Sequence, residues 1–486
     1  MKFKPSKYQL EIFNTYNTTN KNIVVSAVPG SGKTTTILEL LKFTPIYRKT
    51  IFVAFNKSIV EELRKKVPKH IKVQTMHSLG MRALYKYYDN NIVLDDSKMF
   101  KIAIKLQNFF EIDKQKLFPY IDNLIKITNL YRLRLETDFS AIDEIISYYN
   151  VEIIGNESKD AKTLLKAYYQ YNRNWRAEGE KFLIDFVDMV YLPAKDDNIY
   201  LYKFDEIFID ESQDLNAAQQ KIIEKISNAK SRFVAVGDPR QSIYGFMSAD
   251  VEAYQKFAQK ENTIELPLSV CYRCGKNIVN EANKIYNVIE SPDWMHDGEV
   301  DENGSLDDVN EGDFILCRNV KPLVETYFKL LGREKIAYIK GSEIGKGIVK
   351  LIKRYENIPK NTMLQALVNE KGEIYDKLKE RGIRKPTNHP TYISFAEKAD
   401  IIKLFAEKYS TTREIIKKIN DIFLNESDGI MLSTIHKSKG LETDNVYLLE
   451  PKLIPSKLAV KPHQIEQEYN LLYVAITRAK KKFAYI

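Results

Sequence analysis

Asn22–Leu41, NIVVSAVPGSGKTTTILELL, reads as strand, tight turn and helix. Ile23, Val24 and Val25 are apolar and β-branched, as a buried strand requires. Pro29, Gly30, Ser31 and Gly32 make a turn that only small residues allow. Thr34–Leu41 then run helical, with Ile37, Leu38 and Leu41 on one side. This is a P-loop: successive backbone N–H groups and the helix N-terminus form a cradle for a polyphosphate. Ala27, Pro29, Gly30, Ser31, Gly32, Lys33, Thr34 and Thr35 make up that cradle. Lys33 is placed to reach the β- and γ-phosphates and Thr34 to hold magnesium. Ala27 occupies the first position of the pattern, where Gly is usual, and the strand–turn–helix context carries the assignment. The stretch implies a nucleoside triphosphate with Mg²⁺ and leaves its use open.

Bulk properties narrow little else. A chain of 486 residues is too long for one core, so two to four domains are expected. Hydrophobic content of 44% and charged content of 29% describe an ordinary soluble protein. The net charge of +9 is compatible with nucleic acid or an anionic surface, but too mild to identify either. The opening MKFKPSKYQL has no apolar run, so no leader is expected. No stretch approaches a membrane span, which leaves no membrane partner and a cytoplasmic location. Three cysteines, Cys271, Cys274 and Cys317, suit a reducing compartment rather than a disulfide framework. Cys271 and Cys274 match C-x-x-C, but no second Cys/His pair stands at zinc spacing.

Taken in order, Lys7-Tyr8-Gln9 opens an amphipathic helix with Leu10, Ile12 and Phe13 apolar. Gln9 can read an adenine edge with its amide, or be a surface Gln. Thr50–Phe55 is a second buried strand, Asn56–Lys66 a helix with Ile59, Val60 and Leu63 apolar, and Val73–Leu79 a short strand ending in polar groups. This alternation predicts a parallel sheet covered on both faces. From about Gly80 to Tyr200 the pattern turns helical, with periodic segments at Met99–Phe110 and Leu117–Leu133 and few strand signals. Lys126, Arg132, Arg134, Arg173 and Arg176 supply positive charge, read as a solvated face or a DNA-facing one. Ile184–Met189 is a weak local signal, or plain helix. The sheet resumes at Asp205–Asp214, DEIFIDESQD, where Asp210 and Glu211 stand at the end of the strand Ile207-Phe208-Ile209. Open α/β sheets place ligands at strand ends. There Asp210 can hold magnesium and Glu211 can polarise an attacking water. In Arg232–Asp250, RFVAVGDPRQSIYGFMSAD, Phe233–Val236 is a strand and Gly237-Asp238-Pro239 a turn. Gln241 can sense a γ-phosphate. Tyr244 and Phe246 offer flat faces for base stacking, or fill core.

The P-loop, DESQD, VGDPRQSIYGF and the C-terminal YVAITRA together resemble the UvrD/Rep family of superfamily 1 DNA helicases. They keep the family's order and rough spacing across most of the chain. The resemblance implies an α/β fold of two RecA-like P-loop NTPase domains with parallel sheets, each interrupted by a mainly helical insertion. The expected boundaries are 1–80 and 201–270 for domain 1A, 81–200 for a 1B-like insertion, 271–341 and 428–486 for domain 2A, and 342–427 for a short 2B-like insertion. The family binds ATP between 1A and 2A. Carried over by residue, Gln9 resembles the adenine-reading Gln. Phe55 and Asn56 fall in the first DNA-binding motif, and Thr75, His77 and Ser78 in its neighbour. In LSVCYR, Tyr272 matches the adenine-stacking Tyr and Arg273 the γ-phosphate Arg, while Cys271 stands where many relatives have Asn. FILCRN at Phe314–Asn319 starts the second sheet, which resumes at Gly429–Thr434. Thr434 and His436 lie near DNA and Glu442 near the ribose. Glu468–Ala479 is a helix with Leu471, Leu472 and Ile476 inward, and Arg478 at its end is the second arginine on the γ-phosphate. Tyr244 and Phe246 face DNA; Met247 departs from the family's Arg and removes a phosphate contact. FAYI reads as a final strand, with no C-terminal nuclease or partner tail expected.

The implied function is ATP-driven translocation on single-stranded DNA, 3′ to 5′, with unwinding at single-strand/duplex junctions. Lys33, Asp210, Glu211, Gln241, Arg273 and Arg478 carry the catalysis. The expected setting is a monomer in a bacterial or phage-infected cell, with room for a replication or repair protein as partner. Two other classes fit a P-loop. An ATP-gated DNA-binding protein or protein remover would hydrolyse ATP without unwinding. A kinase would need an acceptor pocket and leaves the aromatic motif and paired arginines unexplained.

Overall fold

The computed structural model describes all residues except 1–3, 55–56, 114–115, 150, 152–154, 175–180, 244, 246–251, 356–357, 381–382 and 425–427. The chain divides into two compact units, Met1–Val270 and Cys271–Ile486. In the first, β1 (Asn22–Ala27), β2 (Thr50–Ala54) and β3 (Lys72–Thr75) precede a helical insertion that contains the short strands β4 (Ile92–Leu94) and β5 (Phe182–Ile184). Then follow β6 (Phe204–Ile209), β7 (Ser227–Gly237) and β8 (Thr263–Leu268). Six of these form a parallel sheet in the order β3-β2-β6-β7-β1-β8. Alternation along each strand sends successive side chains to opposite faces. Val24, Ile51, Val53, Ile207, Ile209 and Ala235 pack on one face; Ile23, Val25, Phe52, Phe208, Val234 and Val236 pack on the other. Both sets are buried, as a sheet covered on both faces demands.

Several elements depart from the sequence expectation. The strand expected over Val73–Leu79 ends at Thr75, because Thr75 caps a helix over Met76–Tyr87, its hydroxyl accepting from the Ser78 N–H at 3.1 Å. Gly80 on that helix lies so close to the helix Asp188–Lys195 that a Cβ would sit 1.7 Å from the Met189 carbonyl oxygen. Met99–Phe110 is not one helix but Lys98–Lys105 followed by a 3-10 turn, Gln107–Phe109. In the helix Lys7–Thr18, Leu10 is half exposed and the inward side is Gln9, Ile12, Phe13 and Tyr16. On the P-loop helix Lys33–Lys42, Leu38 is only half-buried, while Thr36 and Leu40 join Ile37 and Leu41 inside.

The insertion has its own core, including Met99, Ile121, Leu124, Ile142, Leu164 and Tyr168. Within it, Arg132 is neither solvated nor available to DNA. It is fully buried, and its guanidinium donates to Asp185 at 2.8 Å, Asp188 at 2.8 Å and Asn129 at 2.6 Å. Lys98, also buried, donates to Asp188 at 2.7 Å and Asn172 at 2.9 Å. Burial opposes ionisation of Asp188, but Lys98 and Arg132 outweigh it and hold the carboxyl below its ordinary range. Ile184–Met189 is thus a strand end followed by the acidic half of a buried ion cluster.

In the second unit, β9 (Glu299–Asp301) precedes the segment expected to start the sheet. It is followed by β10 (Phe314–Cys317), β11 (Ala337–Lys340), β12 (Ile430–Thr434), β13 (Thr443–Leu449) and β14 (Ala479–Tyr485). The parallel order is β11-β12-β10-β13-β14-β9. The helix before β14 begins at Pro462 rather than Glu468, and Leu472 on it is half-buried. The helices Ser342–Lys353, Lys360–Glu380, Pro390–Lys408 and Thr412–Leu424 stand between β11 and β12. Whereas the first insertion is only partly joined to its sheet, through Leu84, Phe182, Ile184, Val190 and Ala194, these helices share one core with theirs: Ile348, Ile352, Phe395, Ile402, Ile415 and Ile419 join Ile315, Ile339, Ile430 and Leu432. Among the described residues no helix is long and apolar enough to cross a membrane.

Removing one partner of a buried charge cluster leaves the others uncompensated. Arg132→Met should destabilise the helical insertion by about 3–5 kcal/mol. Hydrogen exchange on the native protein should show amides of Leu117–Leu133 and Asp188–Lys195 losing protection while those of β1 and β7 hold; uniform loss across both would contradict a separate core.

Candidate nucleotide and nucleic-acid sites

In the first unit the strand order sets β7 between β1 and β6, so three strand ends converge at one edge. β1 delivers the P-loop. Gly30 (φ 67°) and Gly32 (φ 80°) take the left-handed conformation that the turn needs and that glycine adopts without strain. Ser31 Oγ is buried with no hydrogen-bond partner among the described residues. A buried hydroxyl without a partner, beneath the N-terminus of a helix, fits a phosphate cradle. Thr34 and Thr35 are exposed at the helix start. Gln9 is buried rather than a surface residue. Its Oε1 accepts from the Ser6 N–H at 2.9 Å in a capping box, and its Nε2 donates to Thr36 Oγ1 at 2.9 Å. One amide hydrogen and one lone pair remain beyond these bonds for a base edge.

The end of β6 carries Asp210 and Glu211. Glu211 sits in the left-handed region (φ 50°), a strained placement for a residue with a Cβ. Its carboxylate meets Lys33 Nζ at 3.2 Å. Burial alone would depress the Lys33 ammonium; Glu211, Asp210 and Asp238 outweigh it and raise it above its usual value. Asp210 is buried, and burial followed by the Glu211 charge pushes its carboxyl up to about 7, with Lys33 opposing. A buried carboxyl short of positive charge suits a cation, so Asp210 and Thr34 fit Mg²⁺.

Two residues that the sequence reading did not assign to the site link these ends. Gln213 donates to Glu211 Oε2 at 2.6 Å and accepts from the Asp238 N–H at 3.0 Å. Asp238, fully buried at the end of β7, accepts from Gln241 Nε2 at 2.8 Å. A run of bonds therefore joins Lys33, Glu211, Gln213, Asp238 and Gln241. Gly237 is what lets Gln213 in, since a Cβ there would sit 2.4 Å from Gln213 Oε1. DESQD contains Gln213 and GDPRQ contains Asp238, but only the adjacency of β6 and β7 shows that they meet.

Of the expected nucleic-acid contacts, Phe55, Asn56, Tyr244 and Phe246 lie outside the described residues, as do Arg176 and Met247. Thr75 spends its hydroxyl on the cap, Ser78 is exposed, and His77 stacks on Phe186 with ring centroids 3.9 Å apart and planes at 21°. Burial pushes His77 down to about 4, so it is neutral at pH 7. Phe186 is 53% exposed, a flat apolar face that the helical reading of this segment did not anticipate.

In the second unit Arg273 Nε meets Glu442 at 2.5 Å and its Nη1 donates to the Thr477 carbonyl at 3.2 Å. Glu442 also meets Lys480 at 3.0 Å. Arg478 is buried, with its guanidinium donating to the carbonyls of Val474 and Leu441 and to Thr477 Oγ1. Both arginines are therefore anchored at Thr477. Tyr272, next to Arg273, is 39% exposed. Thr434 is buried at the end of β12, and burial together with Arg318 and Lys437 pushes His436 down to about 3. Cys271 and Cys274 are free and buried, with the Cys274 N–H directed at Cys271 Sγ at 3.5 Å.

The sequence that carries these strand ends matches known families. The family described as UvrD/REP helicase N-terminal domain covers residues 8–262, and UvrD-like helicase C-terminal domain covers 429–484. The chain belongs to the UvrD/REP helicase family. It is similar to F-box DNA helicase protein 1 of Schizosaccharomyces pombe, 25% identical over 94% of this chain and 54% of that protein. F-box DNA helicase 1 of Gallus gallus is 25% identical over 94% of this chain and 46% of that protein. ATP-dependent DNA helicase PcrA of Staphylococcus aureus is 22% identical over 96% of this chain and 81% of that protein. The chain thus spans about half the length of the F-box relatives.

Asp210 gives the site a pH signature. Its folded-state value is raised, so the folded protein keeps a proton that the unfolded chain releases. The stability linked to this group falls as pH rises from its ordinary 3.8 through about 7. Asp210→Asn removes that dependence. Without nucleotide or Mg²⁺, its Tm should exceed that of the parent by a margin that grows between about pH 5.5 and about pH 8. A margin independent of pH would contradict a raised Asp210.

Proposed function

We propose that the chain is an ATP-dependent DNA helicase that translocates 3′ to 5′ on single-stranded DNA and separates strands at single-strand/duplex junctions. The observation that carries this reading is the run of bonds from Lys33 through Glu211, Gln213 and Asp238 to Gln241. It connects the P-loop to the segment leading into Tyr244, so a change at the phosphates can be felt at the proposed DNA face. Thr34 Oγ1 and the Asp210 carboxylate would hold Mg²⁺, which would offset the polyphosphate charge of bound ATP. Lys33 leaves Glu211 for the phosphates, and Glu211, still held by Gln213, takes the proton of the attacking water. Arg273 and Arg478 supply positive charge to the γ-phosphate; such arginines contribute on the order of 10³–10⁵ in rate in P-loop NTPases. Gln9 and Tyr272 hold the adenine, and Glu442 the ribose. Ser78, Thr434 and the neutral His77 and His436 hold DNA by hydrogen bonds and stacking, with Phe186 beside His77, and Phe55, Asn56, Tyr244 and Phe246 complete that face. The name of PcrA, an ATP-dependent DNA helicase, and those of the F-box DNA helicases support the same reading.

A second reading is a translocase or protein remover that does not unwind alone. It is favoured by the helices at 342–427, which share the core of the second sheet instead of forming a lobe with its own core.

Duplexes with only a 3′ or only a 5′ single-stranded tail, assayed with ATP and Mg²⁺, separate these readings. Unwinding of the 3′-tailed substrate alone is expected, together with hydrolysis stimulated by single-stranded DNA. Unwinding from the 5′ tail would reverse the polarity. Stimulated hydrolysis without unwinding of either would favour the remover. Lys33→Ala should abolish hydrolysis while DNA binding persists, and near-normal turnover would overturn the P-loop assignment.

A further inference from the structure

Cys271 and Cys274 form the C-x-x-C pair of the sequence, in the irregular segment between β8 and the helix Lys276–Asn283. Both are free and buried, and both belong to the second unit. Three donors converge on Cys271 Sγ: the Cys274 N–H at 3.5 Å, the Arg273 N–H and the Cys274 thiol. Such donors favour a thiolate. The bond from the Cys274 side chain leads in drawing Cys271 down to about 6, against burial. Cys274 is pushed up by the same bond and by burial, so it keeps its proton. One sulfur is thus prepared as a nucleophile and its neighbour as a resolving thiol. Cys317, buried in β10, is raised by burial to about 11 and stays a thiol at pH 7. Cys274 Sγ also lies 3.8 Å from the Thr477 carbonyl. That carbonyl accepts from Arg273 Nη1 at 3.2 Å, and Thr477 Oγ1 accepts from Arg478. Val270 and Arg273 are partly exposed and Tyr272 is exposed, so the pair is covered only shallowly.

We propose that Cys271 and Cys274 are a reversible oxidation site: hydrogen peroxide converts the pair to a disulfide, which loosens Arg273 from the Thr477 carbonyl. The Cys271 thiolate attacks one peroxide oxygen, the O–O bond breaks, and the departing hydroxide takes a proton to leave as water. The Cys274 sulfur then attacks the Cys271 sulfenic acid. The S–S bond forms as the S–O bond breaks, and the second hydroxide leaves with the Cys274 proton as water. Two thiols lose two electrons and two protons, and the peroxide is reduced to two waters. Burial selects the oxidant, since peroxide is small and uncharged, whereas glutathione disulfide is neither. The bridge takes the Cys274 hydrogen from Thr477 and closes a short loop that contains Arg273. The effect on turnover rests on the reading of Arg273 as a γ-phosphate residue; the disulfide itself does not.

The chain has three cysteines, so the outcome can be counted. Full-length protein freed of reductant is treated with hydrogen peroxide, quenched with catalase, denatured and alkylated with N-ethylmaleimide. A single label, on Cys317, is expected, with an intact mass about 2 Da lower before alkylation and all thiols labelled after dithiothreitol. Oxidation should be nearly as fast at about pH 7 as at about pH 8.5, because the attacking sulfur is already ionised. Labelling of every cysteine after peroxide, or added oxygen in place of a bridge, overturns the site. ATP hydrolysis should fall about ten-fold or more on oxidation and recover with dithiothreitol. Cys271→Ser and Cys274→Ser should keep their turnover in peroxide, and Cys317→Ser should lose it as the parent does. A disulfide that leaves turnover unchanged, while Arg273→Ala abolishes it, overturns the link between the pair and Arg273. If Arg273→Ala turns over normally, the reading of Arg273 fails, and the label count alone decides the oxidation site.

Discussion

The organising constraint of the first unit is one ammonium group among buried carboxylates. Lys33 faces Glu211 directly and lies within the field of Asp210 and Asp238, all three at the ends of neighbouring parallel strands. Parallel strands all end at the same edge, so this crowding follows from the fold and not from local sequence. The carboxylates cannot all be ionised cheaply with a single cation, which is why burial and mutual repulsion raise Asp210 and burial raises Asp238. The arrangement is balanced for an added cation and an added anion together. On the proposed reading a polyphosphate would take Lys33, and a divalent ion would take the charge that Lys33 leaves behind.

The two insertions solve the same problem differently. A helical segment between two strands must bury its apolar side somewhere. Between residues 81 and 200, the helices Lys98–Lys105, Leu117–Leu133 and Ala141–Tyr148 pack in a core of their own while Leu84, Phe182, Ile184, Val190 and Ala194 join the sheet. The buried Arg132, Lys98, Asp185 and Asp188 fix how the helices Leu117–Leu133, Glu157–Asn174 and Asp188–Lys195 meet. Breaking such a cluster is costly even where forming it gains little, so its effect is on which packing is allowed. Residues 342–427 bury their apolar faces on the second sheet instead, and Asp400 and Glu397 tie the helix Pro390–Lys408 to Lys321 and to the Val320 N–H.

What could be read in the sequence was what is encoded within a few residues. The P-loop, the strand before Asp210–Glu211 and the final strand are local patterns of apolar alternation and turn chemistry, and they stand where the pattern put them. The fate of Arg132 was not legible, because a charged residue on a helix looks the same whether it faces water or two aspartates that lie 53 and 56 residues away. Gln213 and Asp238 escaped for the same reason, since their partnership exists only once β6 and β7 pair. Thr75 shows competition at short range: a β-like run was cut short by a capping hydroxyl, which outweighs strand propensity at Met76 and His77.

The state of the histidines bears on how DNA would be gripped. His77 and His436 are both held neutral by burial, so neither brings a charge to a phosphate at pH 7. On the proposed reading, their contribution is a hydrogen bond or, for His77, a ring face continued by Phe186. Contacts of that kind release no counterions and are nearly indifferent to salt. Stacking also tolerates any base, because every base has a flat face. A motor that must step along arbitrary sequence gains from a grip that reads neither base identity nor much charge, and the neutral histidine beside an exposed phenylalanine has that character.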